Sequence, residues 1–160
     1  MNSITEIDIT DREIYELKYA RYGQANMYIR CAICFTWFDL YREISQALRF
    51  PPYFGWNFPA MDECLHDLDD WMSFDHIVWI FDDWQLLLQA EEHPEILREK
   101  LKEYFSEVAD HWRSKGIPID IYINSRSSEN DCFTRKAMMR AARQFSDHTR
   151  EWLVQNILNP

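Results

Sequence analysis

Carboxylates dominate one stretch of the chain that has no lysine or arginine at all, the stretch between Arg49 and Arg98. Such groups can hold a divalent metal, transfer protons in catalysis, or bind the cationic groups of another molecule. Because like charges repel, an acid-only segment favours a cationic partner over an ordinary solvated surface. The carboxylates are those of Asp62, Glu63, Asp67, Asp69, Asp70, Asp75, Asp82, Asp83, Glu91, Glu92 and Glu95.

Two pairs of neighbouring acids offer an enzymatic alternative, a metal-dependent phosphoryl-transfer hydrolase. Asp62 and Glu63 form one pair, and Asp82 and Asp83 form the other. Neighbouring residues of a helix point about 100° apart, and the second pair follows a predicted strand without a nucleophile motif nearby. The pattern therefore predicts no catalytic residue, and the chain is expected to be a binding protein rather than an enzyme.

Cys31 and Cys34 have the spacing of a zinc or redox motif. A zinc site needs further ligands at matching distance, and the chain offers only the loose combination of Cys64 and His66. Apolar residues surround the pair, which favours small buried hydrophobic side chains. We therefore expect neither a metal nor a cofactor.

The overall charge restricts the kind of partner. The chain has 160 residues and a formal net charge of -10. Nucleic acid and anionic membrane surfaces require positive charge, so neither is expected as a direct ligand. The sequence starts without a secretory pattern, and its longest clean apolar run, from Ile77 to Phe81, is too short to span a membrane. A cytoplasmic protein is expected.

Hydrophobic periodicity predicts an α/β fold with a small parallel sheet. The run from Ile77 to Phe81 is apolar without alternation, as in a strand that is buried on both faces. Ile4, Ile7 and Ile9 could form a short edge strand. The other predicted elements are strands at Met27–Phe35 and Ile119–Ile123 and helices at Asp11–Tyr22, Thr36–Leu48, Phe58–Trp71, Trp84–Gln89, Pro94–Lys115 and Cys132–Pro160.

The predicted helix from Phe58 to Trp71 carries most of the acids. A helical wheel directs Glu63 outward, with His66, Asp67 and Asp70 beside it and Asp62 and Asp69 at the edges of the core-facing stripe. No lysine or arginine lies on this face, and Asp69 and Asp70 fall in the last turn, where the helix dipole disfavours anions. A partner's cations would relieve this repulsion. The predicted core-facing residues are Phe58, Met61, Leu65, Leu68 and Met72.

The run from Leu48 to Leu65 resembles the barstar family of intracellular inhibitors of barnase-like ribonucleases. The shared pattern is Leu48, Pro51, Tyr53, Gly55 and Asn57, followed by a helix with an acid before Cys64-Leu65. The resemblance covers residues 29–124. It implies a three-stranded parallel sheet packed with helices over residues 27–124. Residues 1–26 would be an N-terminal extension, and residues 125–160 a C-terminal helical extension packed on the domain.

The resemblance also implies a site. The loop from Tyr53 to Asn57 and the acidic helix would fill a nuclease active site, with a carboxylate where substrate phosphate would lie. Glu63 falls at the family's dominant acidic contact, whereas Pro59 replaces another family acid and Asp62 replaces a bulky aromatic residue. The expected partner is a basic toxin or nuclease domain in a one-to-one complex. The predicted contacts are Tyr53, Gly55, Trp56, Asn57, Asp62, Glu63, His66, Asp67, Asp70 and Glu107.

Two points stay open at this stage. Trp56 is either an aromatic anchor for the partner or a residue that packs within the loop. The chain could also be an interaction module of another assembly, in which the helix from Cys132 onward docks on a partner. Covering the domain's own core is the favoured role for that helix.

Overall fold

The computed structural model describes residues 4–19 and 25–125 of the chain. Helices and strands alternate along most of this length. The strands are β1 (Ile4–Ile7), β2 (Ala25–Arg30), β3 (Ile77–Asp82) and β4 (Ile119–Asn124), and the helices are α1 (Asp11–Tyr19), α2 (Trp37–Ala47), α3 (Phe58–His66) and α4 (Pro94–Ser114). Three short 3-10 turns, at Cys31–Ile33, Leu68–Asp70 and Trp84–Leu86, complete the elements described.

The strands form one parallel sheet in the order β1-β4-β3-β2. Every residue of β3 is buried, as its unbroken apolar run predicted. The α/β class and the parallel sheet are therefore confirmed. The sheet has one strand more than the three that the resemblance implied, because β1 pairs alongside β4 with Ile4 opposite Ile121. The N-terminal isoleucines predicted this edge strand.

Helices cover both faces of the sheet. The larger core lies on the face formed by Met27, Trp79 and Ile121, against which α2, α3 and α4 pack. A smaller apolar cluster lies on the opposite face, where Ile14 of α1 covers Val78 and Ile80. The large core thus fixes α3 between α2 and α4.

Thr36 begins α2 as the sequence predicted. Its hydroxyl accepts a hydrogen bond from the Asp39 backbone, and the Asp39 carboxylate accepts one from the Thr36 backbone, which is a capping box. The long helix predicted from Pro94 to Lys115 is confirmed as α4. The short helix predicted from Trp84 to Gln89 is wrong, because the chain forms only a 3-10 turn there before Leu87 becomes extended.

The acidic helix ends earlier than predicted. The Asp67 N–H donates to the carbonyl groups of Glu63 and Cys64, and the Asp70 N–H donates to the Asp67 carbonyl. The bond from Asp67 to Glu63 is the last α-helical one, whereas the bonds from Asp67 to Cys64 and from Asp70 to Asp67 span three residues, and a 3-10 turn follows from Leu68 onward. The predicted inward stripe largely holds, since Met61, Leu65 and Leu68 are fully buried. Phe58 and Met72 are partly buried against the same core.

The predicted helix from Cys132 to Pro160, and with it the C-terminal extension, lies outside the described residues. Within residues 4–19 and 25–125, no helix is both long and apolar enough to cross a lipid bilayer.

Candidate partner-binding surface

Helix α3 is held in position by hydrogen bonds at both ends. The Asn57 side chain caps its first turn by accepting from the Ala60 N–H at 2.9 Å. Near its other end, the Trp112 indole donates to the Leu65 carbonyl at 2.9 Å. Because Trp112 is buried, this bond fixes the C-terminal half of α3 against α4. Pro59 lies in the first turn, where its missing N–H costs nothing.

The loop from Tyr53 to Asn57 is ordered by packing beneath it and by one local hydrogen bond. Phe54 is buried and contacts the rings of Phe50 and Tyr41 edge-on. The Asn57 amide donates to the Gly55 carbonyl at 3.1 Å. A Cβ on Gly55 would come within 3.2 Å of that amide, so a side chain there would disturb the cap of α3.

Two aromatic residues of this loop remain exposed. Tyr53 is 78% exposed and Trp56 is 45% exposed. Trp56 has a positive φ of 53°, a backbone conformation that a bulky residue adopts only when its surroundings hold it. Its ring stacks on Phe38 of α2 at 5.1 Å and contacts Phe54 below at 5.4 Å. Trp56 therefore packs within the loop and also leaves ring surface accessible.

Glu63, Asp67 and Asp70 are exposed, as predicted, and are named here the acidic surface. Among residues 4–19 and 25–125, none of the three carboxylates has an ion pair or a side-chain hydrogen bond. Glu63 lies in the last turn of α3 and Asp67 is its C-cap, so the helix dipole disfavours both charges. The unfavourable end position thus belongs to Glu63 and Asp67 and not, as the sequence suggested, to Asp69 and Asp70.

Asp62, unlike the three residues of the acidic surface, has hydrogen-bond and ion-pair partners within the chain. Its carboxylate accepts a hydrogen bond from the Tyr104 hydroxyl at 3.0 Å and lies 3.2 Å from His66 Nδ1. Burial, together with the negative charge of Asp62, raises the pKa of the Tyr104 phenol well above its usual range. Asp62 therefore joins α3 to α4 and keeps about half of its side chain exposed.

His66 is less exposed than the helical wheel predicted, because α4 packs beside it. Its ring meets the His111 ring edge-on at 4.6 Å, and His111 Nε2 lies 3.1 Å from the His66 carbonyl oxygen. His66 Nδ1 is also 2.8 Å from the carbonyl oxygen of Asp62. His66 therefore contributes mainly to the packing of α3 against α4.

Asp69 has a cation of its own. Its carboxylate accepts a hydrogen bond from Lys115 Nζ at 2.9 Å, and this bond lowers the pKa of the Asp69 carboxyl. The prediction that a partner's cations relieve the repulsion of these acids is therefore wrong at Asp69, whose cation is Lys115 of the same chain. Asp69 lies in the 3-10 turn and Lys115 at the end of α4, so a helical wheel of α3 alone could not predict this pair.

Glu107 lies on α4 between Tyr104 and His111, the residues that contact α3. The three positions share one helical face, and Glu107 is exposed. Glu107 therefore belongs to the helical face of α4 that carries the contacts with α3. It also lines a shallow groove with Glu103 and Asp110.

The enzymatic and metal-binding alternatives gain no support from the geometry. The Asp82 carboxylate is buried and accepts hydrogen bonds from Tyr28, from Asn124 and from the backbone of Asp83. Cys31 and Cys34 are buried free thiols whose pKa values are raised by burial. Among the residues that the structure describes, no three ligands gather where they could hold a metal ion.

Sequence reasoning missed four residues that shape this surface: Phe38, Tyr104, His111 and Lys115. Phe38 carried a usable signal, because it falls off the stripe that buries Leu40 and Ile44 and is 57% exposed. Tyr104 and His111 lie on α4 and Lys115 is its C-cap, and only the packing of α4 against α3 and the following 3-10 turn reveals their contacts.

Comparison with known proteins supplies one finding. Residues 24–124 match the sequence model of the family described as Barstar (barnase inhibitor). The match includes α2, α3, α4 and three of the four strands, together with the loop from Tyr53 to Asn57. A search of the curated proteins finds no individual match to the chain.

Proposed function

The chain belongs to the barstar family, whose members inhibit barnase-like ribonucleases and are not enzymes, and from this membership we propose that it is an immunity protein for a basic nuclease toxin. It binds the toxin in a one-to-one complex and blocks the toxin's active site. In this role it acts in the cytoplasm, where an unrestrained nuclease would degrade the cell's own nucleic acid.

The observation that supports the proposal is the acidic surface beside an ordered loop. Glu63, Asp67 and Asp70 are exposed, and the part of the chain that the structure describes supplies no counterion to them. A nuclease active site is cationic because it must bind phosphate. Association of two such surfaces supplies each with the counterions that it lacks and accelerates the encounter.

Glu63 is proposed as the carboxylate that mimics a substrate phosphate. It projects from the last turn of α3, and the contacts of Asp62 with Tyr104 and of His66 with His111 hold that turn against α4. A carboxylate in this position can accept paired hydrogen bonds from an arginine of the nuclease, which are among the stronger polar contacts in proteins. The rigid turn reduces the entropy that binding would cost.

The remaining predicted contacts are proposed to surround Glu63. Tyr53, Gly55, Trp56 and Asn57 present the loop on one side, and Asp67 and Asp70 extend the negative charge beyond α3. Asp62, His66 and Glu107 form the border with α4. Because Asp62 and His66 already bind partners within the chain, their main contribution is to position Glu63.

The target is proposed to differ from barnase itself. Pro59 occupies the position of a family acid, Asp62 that of a bulky aromatic residue, and Glu63 is longer than the family's usual aspartate. A nuclease that fits this surface must place its cations farther from α3. Such differences are typical of an inhibitor that has become matched to its own toxin.

Competition for the active site tests the proposal. The chain is immobilised and offered barnase and a panel of other basic barnase-like ribonucleases, and binding is measured with and without a short RNA that the enzyme cannot cleave. We expect saturable one-to-one binding to at least one member, which the RNA displaces. Failure to bind any member, or binding that RNA does not affect, would contradict occlusion of the active site.

A further inference from the structure

Among the described residues, exposed large apolar side chains group next to the acidic surface. Five large hydrophobic residues of the described ranges are strongly exposed, namely Tyr15, Phe38, Tyr53, Trp56 and Ile96. Three of these five lie in the loop before α3 or in the first turn of α2 beside it. Grouped exposure of this kind typically marks a contact site, whereas single exposed residues are ordinary.

Phe38 and Trp56, named here the aromatic pair, form a preorganised platform. Their ring centroids are 5.1 Å apart and their planes differ by only 20°. The buried ring of Phe54 contacts the Trp56 ring from the core side. Trp56 also has a positive φ, which its packing within the loop maintains. The platform therefore exists before any partner binds, and a partner that uses it has little ordering cost.

We infer that the aromatic pair receives an arginine side chain of the bound nuclease, so that the binding surface extends from α3 onto α2. This inference rests on the proposed function. Trp56 directly precedes Asn57, the cap of α3, so a protein that covers Glu63 also reaches the aromatic pair. Phe38 then becomes a contact residue that the acid-rich segment alone would not reveal.

Interface size favours the extension. A stable complex of ordinary size buries about 800 Å² on each partner and involves roughly 20–30 residues a side. The loop, α3 and Glu107 offer about half that number. Phe38 adds to that number, because it stacks on Trp56 of the loop and is itself 57% exposed.

Charge complementarity decides the chemistry of the occupant. A nuclease selected by Glu63, Asp67 and Asp70 presents cations around its active site. Arginine stacks its planar guanidinium on aromatic faces and loses less hydration than lysine on doing so. Arg42, on the next turn of α2, forms ion pairs with Asp39 and Glu43.

Substitutions that remove only the aromatic character test the inference. Dissociation constants are measured for the ribonuclease that binds the wild-type chain, using Phe38→Leu, Trp56→Leu and Phe38→Tyr. We expect each leucine variant to weaken binding about fivefold or more, and Phe38→Tyr to bind within about twofold of wild type. Ile96→Ala, at an exposed apolar residue in the first turn of α4, is the matched control and should bind unchanged.

The outcomes separate this inference from the proposed function. If Glu63→Ala abolishes binding while both leucine variants bind as wild type, the active-site inhibitor stands and the aromatic platform is wrong. If the leucine variants bind normally but Phe38→Ala and Trp56→Ala do not, the contact is apolar and the arginine assignment is overturned. If no ribonuclease of the panel binds the wild-type chain, the proposed function falls and this inference falls with it. Circular dichroism confirms that each variant is folded.

Discussion

Two groups of acidic residues in this protein have opposite surroundings. At the carboxyl end of the sheet, Asp82 is buried and its two oxygens accept from Tyr28, Asn124 and the Asp83 backbone. On α3 and the turn after it, Glu63 and Asp70 are exposed and find no donor among the described residues. The first carboxylate is a structural element, whereas the second pair contributes nothing visible to the fold.

The difference indicates what each group is for. A buried charge persists only when the fold supplies its hydrogen bonds, so Asp82 is explained by the chain alone. Exposed like charges at a helix end are mildly destabilising, so Glu63 and Asp67 require a reason outside the chain. Asp62 and Asp69 lie between these extremes, since each has one or two internal partners and stays about half exposed.

Asp82→Ala is expected to change the free energy of unfolding more than any other substitution considered below. It leaves the Asn124 amide and the Tyr28 hydroxyl without their buried acceptor, so the free energy of unfolding should fall by about 3 kcal/mol. Urea denaturation measures the change. Asp75→Ala, which removes an exposed carboxylate, is the control and should alter stability by less than about 0.5 kcal/mol. Equal effects of the two substitutions would erase the distinction between the regions.

The reverse pattern is expected for Glu63→Ala. Binding to the target nuclease should weaken by about 2 kcal/mol or more if Glu63 is the central contact. Stability should stay the same or rise slightly, because an anion leaves the last turn of α3. Isothermal titration and urea denaturation on the same preparation give both values. A large loss of stability with normal binding would place Glu63 with Asp82 among the structural acids.

Asn57 is expected to serve both stability and binding, and Asn57→Ala tests this. Loss of the cap on α3 should lower the free energy of unfolding by about 1 kcal/mol. The Gly55–Asn57 loop loses its internal hydrogen bond as well, so binding should weaken in parallel. Asn57→Asp keeps a capping oxygen and should recover most of the stability, while binding recovers only if the amide N–H is dispensable.

The smallest change in stability is expected on removing the ion pair between Asp69 and Lys115. Exposed ion pairs contribute at most about 1 kcal/mol, so Lys115→Met should cost about 0.5 kcal/mol or less at neutral pH. The folded state lowers the pKa of Asp69 below its ordinary value of 3.8, so the contribution is complete above that pH and is lost as the pH falls through the lowered value. Wild type and Lys115→Met should therefore converge in stability at acid pH. A difference that persists there would assign the effect to the contact of Lys115 with the Trp112 ring.

Much of the fold was predictable because its signals are local. The apolar run at Ile77–Phe81 predicted a buried strand, and Thr36 and Pro94 marked helix starts that the structure confirms. The early end of α3 was not predictable, since the apolar spacing continues through Leu68 while the backbone changes to a 3-10 turn. Leu68 stays buried in either geometry, so the hydrophobic pattern could not distinguish them.

The candidate site was predictable only in part. The outward direction of Glu63 follows from helical spacing, and the structure agrees. The pairings of Asp62 with Tyr104 and of Asp69 with Lys115 join residues that are more than forty positions apart, so no local pattern contains them.

Inhibition of RNA cleavage tests the central claim most directly. A barnase-like ribonuclease that binds the chain is titrated with the wild type and with Glu63→Ala, and cleavage of a fluorescent RNA is followed. The account predicts that one equivalent of wild type abolishes cleavage, whereas one equivalent of Glu63→Ala leaves substantial activity at nuclease concentrations near the variant's dissociation constant. Full cleavage in the presence of excess wild type, or equal inhibition by the two proteins at every nuclease concentration, would contradict it.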